Sequence, residues 1–417
     1  MSGEERNKLL AEMTDEVGEL VLRDNYFQAQ SLSVRERMPL DPQMRFIKYL
    51  EKGGKLSREI EFLPSDEELA SRKAAKTGLT SPERAVLLAY SKIMLYDEML
   101  ASNLANDPYI SAALVRYFPG PLRERYRVEM ERHPLKHEIV ATHVTNEMIN
   151  RVGSTYVFRM QEETGASTAD VVRAYLLTRE IFGFVSFWKA VEALDNKVPD
   201  AVQSDMLFDS EWLFTRATVW FLRYQNLRDD IAETVNHFAS GVKTVSAGLD
   251  QFLSAEESVG LKLATERLGQ NNVPSDLAKR LMSFEPLYSA LDIVEIANET
   301  KRSVEEVAGV YFVVGGRLHL SWLRKQVDNL PGDSHWQTLA RIGLGEDVSR
   351  LQTELTTLVL KLSPGVKMPD SIINEWEAQN KNGLERSRQL VADLHSAGKV
   401  DLSMLSVAVR ELRNLAR

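Results

Sequence analysis

An all-α fold is predicted for this chain of 417 residues: a multi-helix bundle laid out as an array of helical hairpins. Three observations predict it. Apolar residues recur at spacings of three and four along nearly the whole chain, the period of a helix that buries one face. Capping hydroxyls stand ahead of several of these runs, with an acid placed to complete the cap. Strand signals are few: Ile60-Glu61-Phe62-Leu63 is short and stops at Pro64, and Tyr311-Phe312-Val313-Val314 follows a strong helix start, so it reads as helix. No alternation of strand and helix is present from which a parallel sheet could be built.

Residues 1–38 read as one helical element and 39–64 as a linker, after which a first helical half spans 65–230. Ser81-Pro82-Glu83 opens a helix with a hydroxyl cap, a proline tolerated in the first turn and an acid at the positive end of the dipole. Val86, Ala89, Tyr90, Ile93, Tyr96 and Leu100 then form the expected buried stripe. Asp107-Pro108 and Pro119-Gly120-Pro121 break the pattern. A long helical run is expected from Leu135 to about Glu162 through Ile139, Val144, Met148 and Val152.

The stretch ETGASTADVVRAY, Glu163 to Tyr175, is echoed as ETKRSVEEVAGVY, Glu299 to Tyr311, at a constant offset of 136 (299 − 163). Ser167 with Asp170 and Ser303 with Glu306 have capping-box spacing, the second in its strict form. Val171 with Tyr175, and Val307 with Tyr311, share a helix face. Gly165 suits the left-handed end of the preceding helix. Each copy therefore reads as a helical-hairpin joint, and the halves 135–225 and 271–362 as an internal structural repeat.

Between the copies, 231–270 reads as a long connecting helix or hairpin. Ile231, Val235, Phe238, Val242, Val245, Leu249 and Phe252 keep a period of 3.5 for about three heptads. A hairpin packed within the chain accounts for that period, and a dimerising coiled coil is the alternative. Asn271-Asn272-Val273-Pro274-Ser275 opens the second half, 271–365, which Ser363-Pro364-Gly365 closes. The tail, 366–417, carries helical patterns from about Asp370 to His395 and from Leu402 to Leu415, joined through Gly398.

Charged residues make up 27% of the chain, and the net charge of −9 argues against a nucleic-acid partner, which would need a basic surface. Arg123, Arg125 and Arg127 alternate with Glu124, Glu129 and Glu131, as on a solvated face of paired charges. The absence of cysteine removes disulfides, thiolate nucleophiles and cysteine metal sites. No run approaches the ~18 consecutive apolar residues of a membrane span, and the N-terminus lacks the apolar core of a signal peptide. The chain is expected to be soluble and cytoplasmic, without a membrane partner.

Motifs for chemistry fail one by one. Gly343-Leu344-Gly345 lacks the third glycine of a dinucleotide fingerprint, with Val348 in its place. Gly53-Gly54-Lys55 lacks the rest of a phosphate loop. His137-Glu138 begins like a zinc-protease helix, but Ala141 stands where the second histidine belongs, and His143 lies across the helix. Glu162-Glu163 is an ordinary helix-end acid pair. Thr142, Asn146 and Asn150 form a polar stripe that can hydrogen-bond a neighbouring helix, face water, or grip a ligand or partner helix. Trp188, Trp212, Trp220 and Trp322 are expected to fill core or interface positions. No catalytic, cofactor-binding or metal-ligating residue is assigned.

The segment HPLKHEIVATHVTNEMINRVGSTYVFRMQEETGASTADVVRAYLLTREIFG, His133 to Gly183, resembles the C-terminal region of the large multidomain bacterial NAD-specific glutamate dehydrogenases. Supporting phrases are RNKLLAEMTDEVGELVLRDNY from Arg6, IEFLPSDEEL from Ile60, GLTSPERAVLLAYSKI from Gly78, VEALDNKVP from Val191 and SALDIVEIA from Ser289. The resemblance implies oxidation of L-glutamate by NAD to 2-oxoglutarate and ammonia in the whole enzyme, at a site upstream of this chain. Residues 1–38 are then the end of the dehydrogenase core. The family's nucleotide loop and catalytic lysine have no matching positions here, so the chain is expected to be a fragment, inactive alone, that binds no NAD itself. Its implied partners are the catalytic core of the same polypeptide and further copies in a homo-oligomer. An independent helical adaptor that binds a protein partner is the alternative.

Overall fold

The computed structural model describes residues 2–227, 230–332, 334–362 and 369–416. Among the described residues there is no strand, and none of the helices is long and apolar enough to cross a membrane. Two compact units form: Met1–Glu180 with Phe184–Thr234, and Ile181–Gly183 with Val235–Arg417.

The first unit opens with α1 (Gly3–Val34), started by a complete capping box between Ser2 and Glu5. After α2 (Leu40–Lys52), the apolar run at Ile60 makes a short helical turn, Arg58–Glu61, and not a strand. Arg58 ties that turn to Glu51 at 2.7 Å and Asp66 at 2.9 Å. The next long helix, α3 (Ser81–Ala101), is capped one residue earlier than the sequence suggested. Thr80 is the cap, Glu83 closes the box, and Pro82 lies in the first turn. Its buried face also differs: Leu87, Leu88, Ser91, Met94, Leu95 and Met99 face inward, while Ala89, Ile93 and Leu100 are exposed. The helix is apolar on more than one side, so two stripes have helical spacing, and the core takes the one rich in leucine and methionine over the one that carries the tyrosines.

The expected run from Leu135 to Glu162 is two helices, α4 (Lys136–Val152) and α5 (Tyr156–Thr164). Gly153 separates them with φ 83° and ψ 171°, a conformation that a side chain opposes. Then follow α6 (Thr168–Ile181), α7 (Phe184–Glu192) and α8 (Asp200–Tyr224). Phe214 of α8 gathers the core of this part, with ring centroids 4.7 Å from Phe184, 5.1 Å from Tyr175 and 5.8 Å from Trp188.

In α9 (Ile231–Phe252) the 3.5-residue stripe is buried within the chain: Ile231, Phe238, Val242, Val245 and Leu249 are inaccessible. Where Gly241 lies in the second unit, Val294 occupies the space a β-carbon would need, so the helix packs at close range on its own chain. The hairpin continues into α10 (Ala255–Gly269), capped by Ser254 and Glu257. Next come α11 (Ser275–Met282), α12 (Ala290–Thr300), α13 (Val304–Arg317), α14 (Leu320–Asp328) and α15 (His335–Leu362). The Ser363-Pro364-Gly365 boundary lies outside the described residues. Among its described residues the tail forms α16 (Pro369–Gln379), α17 (Lys381–Ser396) and α18 (Leu402–Arg413). Its first expected helix is thus divided at Asn380, while Gly398 makes the next joint at φ 70°.

The echo in sequence is an echo in structure. The bounds of α6 and α13 differ by 136 at both ends (304 − 168), as do those of α7 and α14 (320 − 184). Gly165 ends α5 at φ 70°, donating to the Gln161 carbonyl, and Lys301 ends α12 at φ 56°, donating to Ala297. Thr164 and Thr300 each bond back to the carbonyl four residues earlier. Gly183 and His319, both left-handed, precede α7 and α14. Ser303 and Glu306 complete their capping box. At Ser167 the shorter Asp170 instead accepts the serine hydroxyl at 2.7 Å, while its N–H donates to that oxygen at 3.2 Å.

Candidate coupling seam around Arg35

One side of α1 lies along α4 and α8 in the first unit. Leu9, Met13, Glu16, Leu20, Phe27, Ser31 and Val34 form its shielded stripe, and near the C-terminal end Tyr26, Gln28, Gln30 and Leu32 are partly covered as well. The helix ends in a 3-10 turn, Arg35–Arg37, which turns the Arg35 side chain inward. Arg35 is only 5% exposed. Its Nη2 donates to the Arg151 carbonyl at 2.7 Å, and its Nη1 is paired with the Glu211 carboxylate. A buried guanidinium needs such partners, because an uncompensated charge in the interior is costly.

Gly153 makes room for it. A β-carbon there would fall on Arg35 Nε and lie 2.9 Å from its Cδ. The glycine that breaks the helical pattern therefore admits the arginine side chain. Beside it, the Arg151 guanidinium sits 4.1 Å from the Phe27 ring of α1 and 4.8 Å from the Trp188 ring, a cation between two aromatic faces. Arg151 also pairs with Glu192.

Two polar clasps flank this centre. Tyr26 Oη donates to Asp195 at 3.0 Å and accepts from Gln30 at 3.1 Å, and Gln203 holds Asp195 at 2.8 Å. Burial and Asp195 both push the Tyr26 phenol upward, so it remains a donor. Toward the other end of α1, Glu16 accepts the Gly120 N–H at 2.7 Å. Lys92 of α3 is desolvated, which lowers its pKa to about 8 even though Asp24 of α1 favours the cation. A cavity of about 20 Å3 opens between Ser31, Arg35, Asn150, Trp188 and Phe214. The arrangement has the chemistry of a mechanical joint: charge pairs, a cation–aromatic stack and close backbone approach.

The sequence-flagged residues fall mostly elsewhere. Of the polar stripe, Thr142 is exposed, Asn146 is half-buried, and Asn150 is buried where α4 meets α1. Trp188 and Trp220 are core, Trp212 is half-buried, and Trp322 stacks on His395 at 3.9 Å. Gly343-Leu344-Gly345 lies inside α15, so it offers no phosphate-binding loop, and Gly53-Gly54 ends α2. His137 meets Asn106 at 2.8 Å, and His143 lies 3.9 Å from Glu147, its pKa lowered chiefly by burial. Arg127 pairs with Glu131, Arg123 bonds the Phe118 carbonyl, and Arg125 sits over the Tyr126 ring. Among the described residues, no three His, Asp or Glu side chains are grouped to hold a metal. Sequence reasoning missed Arg35, Arg151, Gly153 and Glu211. The one local signal was Gly153, standing in the middle of an otherwise helical run.

Comparison with known proteins divides the chain close to this joint. Residues 76–414 match the family described as glutamate dehydrogenase, C-terminal. Residues 1–35 match the family described as bacterial NAD-glutamate dehydrogenase, catalytic domain. Over its full length the chain is 39% identical to the NAD-specific glutamate dehydrogenase of Halomonas elongata, 37% to that of Pseudomonas aeruginosa and 34% to that of Mycobacterium tuberculosis. The chain spans 26% of the length of each of these relatives.

Proposed function

This chain belongs to the glutamate dehydrogenase C-terminal family, and on that premise we propose that it braces the catalytic portion of an NAD-specific glutamate dehydrogenase. The observation that carries the reading is the seam. The residues that match the catalytic-domain family end at Arg35, and Arg35 is the side chain buried in the helical body. Its guanidinium joins the Arg151 carbonyl of α4 and the Glu211 carboxylate of α8, both within the C-terminal match. A catalytic-domain helix pinned in this way transmits the rigidity of the helical body to whatever its other side supports.

In the whole enzyme the reaction would be L-glutamate, NAD+ and water going to 2-oxoglutarate, ammonium, NADH and a proton. Hydride leaves the α-carbon for the nicotinamide, and water hydrolyses the resulting imine. The residues present do not fit NAD. The glycine pair at 343 and 345 is held within a helix, and a dinucleotide needs a glycine turn between strand and helix. The chemistry belongs upstream, with the catalytic portion as the partner and a cytoplasmic homo-oligomer as the setting.

The test is deletion of residues 39–417 from the full-length enzyme. The expected result is loss of thermal stability, assembly and turnover together. Full retention of all three would overturn the bracing role.

A further inference from the structure

The outward side of α1 is not the surface of a helix that ends in water. At 100° per residue, Lys8, Glu12, Asp15 and Glu19 fall on one narrow charged arc. A second arc, running from beside the seam to the edge of the charged residues, holds Leu10, Ala11, Val17, Gly18, Val21 and Leu22, with Thr14 as the one polar residue among them. It carries no charge along three turns. Its large side chains are open: Leu10 is 51% exposed, Val17 44%, Val21 56% and Leu22 71%. Ala11 and Gly18 are exposed between them and would let another backbone come close. A helix with only one packed side normally sets polar residues over the rest of its circumference. A largely apolar, exposed run on the second side marks an interaction surface.

We infer that this arc is a docking face for the catalytic portion of the same polypeptide. The inference rests on the bracing reading above and gives it a second side. Residues 1–35 match the catalytic-domain family, and the chain covers 26% of its relatives' length, so the occupant is the rest of that catalytic domain, which lies within the remaining length of those relatives. The arc is continuous with the seam on the same helix, which makes α1 a two-sided splint. Arg35, Phe27 and Glu16 hold it to the helical body, while Val17, Val21 and Leu22 meet the catalytic portion.

The experiment places Val17→Glu with Val21→Glu in two settings, the 417-residue chain and the full-length enzyme. In the chain alone both side chains are exposed, so the melting temperature is expected to stay unchanged. In the full-length enzyme the same pair buries two carboxylates, and glutamate-dependent NADH formation is expected to fall by more than about tenfold, with a lower melting temperature. Asp15→Lys on the charged arc is the control and should leave both readings unchanged. Unaltered activity and melting in the full-length double variant would overturn the proposal. So would self-association of the chain alone that the double variant abolishes, since it assigns the face to a second copy. Failure here is distinct from failure of the bracing reading. The deletion tests whether the helical body matters, and the glutamates test whether α1 is how the catalytic portion is held.

Discussion

Gly153→Ala tests the seam with a single methyl group. Two costs add at this position. The backbone stands at φ 83° and ψ 171°, where a β-carbon costs about 1–3 kcal/mol. The new carbon would also occupy the place of Arg35 Nε. Arg35 cannot swing aside without releasing both Glu211 and the Arg151 carbonyl, and parting a buried pair costs about 3–5 kcal/mol. The expected loss is therefore about 4–8 kcal/mol, among the largest a single substitution causes. Urea unfolding of the chain, followed by circular dichroism, measures it. A double-mutant cycle separates the two terms. With Arg35→Ala already present, Gly153→Ala should cost only the backbone term of about 1–3 kcal/mol. A coupling energy below about 0.5 kcal/mol would refute the claim that the glycine exists to admit the arginine.

Lys92, held at about 8 in the folded chain against 10.5 unfolded, makes stability rise with pH across that window, because the unfolded state binds the extra proton. Lys92→Met should raise stability at pH 7 and flatten that rise in unfolding midpoints. Glu163 has the opposite sign: burial raises its carboxyl above the usual value of 4.5 despite Arg159, Arg216 and Arg223 nearby. Stability is then complete below 4.5 and lost as pH climbs through the raised value, so Glu163→Gln should stabilise the neutral-pH protein and remove that slope. Ser303→Ala takes away the hydroxyl that accepts the Glu306 N–H and should cost about 1 kcal/mol in urea unfolding. Asp170→Glu should recover a few tenths by completing the other box.

Helices were legible where their signals are local. The box at Ser303, the left-handed Gly165 and the buried stripe of α9 all depend on residues within a turn or two of one another. The buried face of α3 was not legible, because a helix apolar on more than one side leaves the choice to its neighbours. Gly153 was passed over for a related reason: one glycine is tolerated in a helical run, and only Arg35, from a distant part of the chain, explains why this one breaks it. Lys301 and His319 adopt conformations usual for glycine, so residue type concealed two turns that Gly165 and Gly183 announce in the other half. The seam was hidden altogether, since Arg35 and Glu211 are joined only once the fold has formed.

The repeated halves show which parts of a fold constrain sequence most tightly. The joint recurs almost unchanged because its backbone demands are local: an end for one helix, a left-handed residue and a cap for the next. The core beside it has been solved twice. In the first half, Phe214 packs on Tyr175 and Trp188. In the last helix the register grows by two, Thr218 answering to Thr356, each bonded back to the carbonyl four residues before. Phe214 then answers to Gln352 and Trp188 to Arg324. Gln352 donates to the Tyr311 carbonyl at 3.0 Å and accepts from Arg324 at 2.9 Å. The same three positions meet in both halves, by aromatic packing in one and by hydrogen bonds in the other. Either satisfies burial, the first through apolar area and the second through partnered polar groups. An interior with two such solutions need not preserve residue type, whereas a helix joint with one solution must. This is why the echo between the halves survives in sequence at the turn and fades in the core that the turn serves.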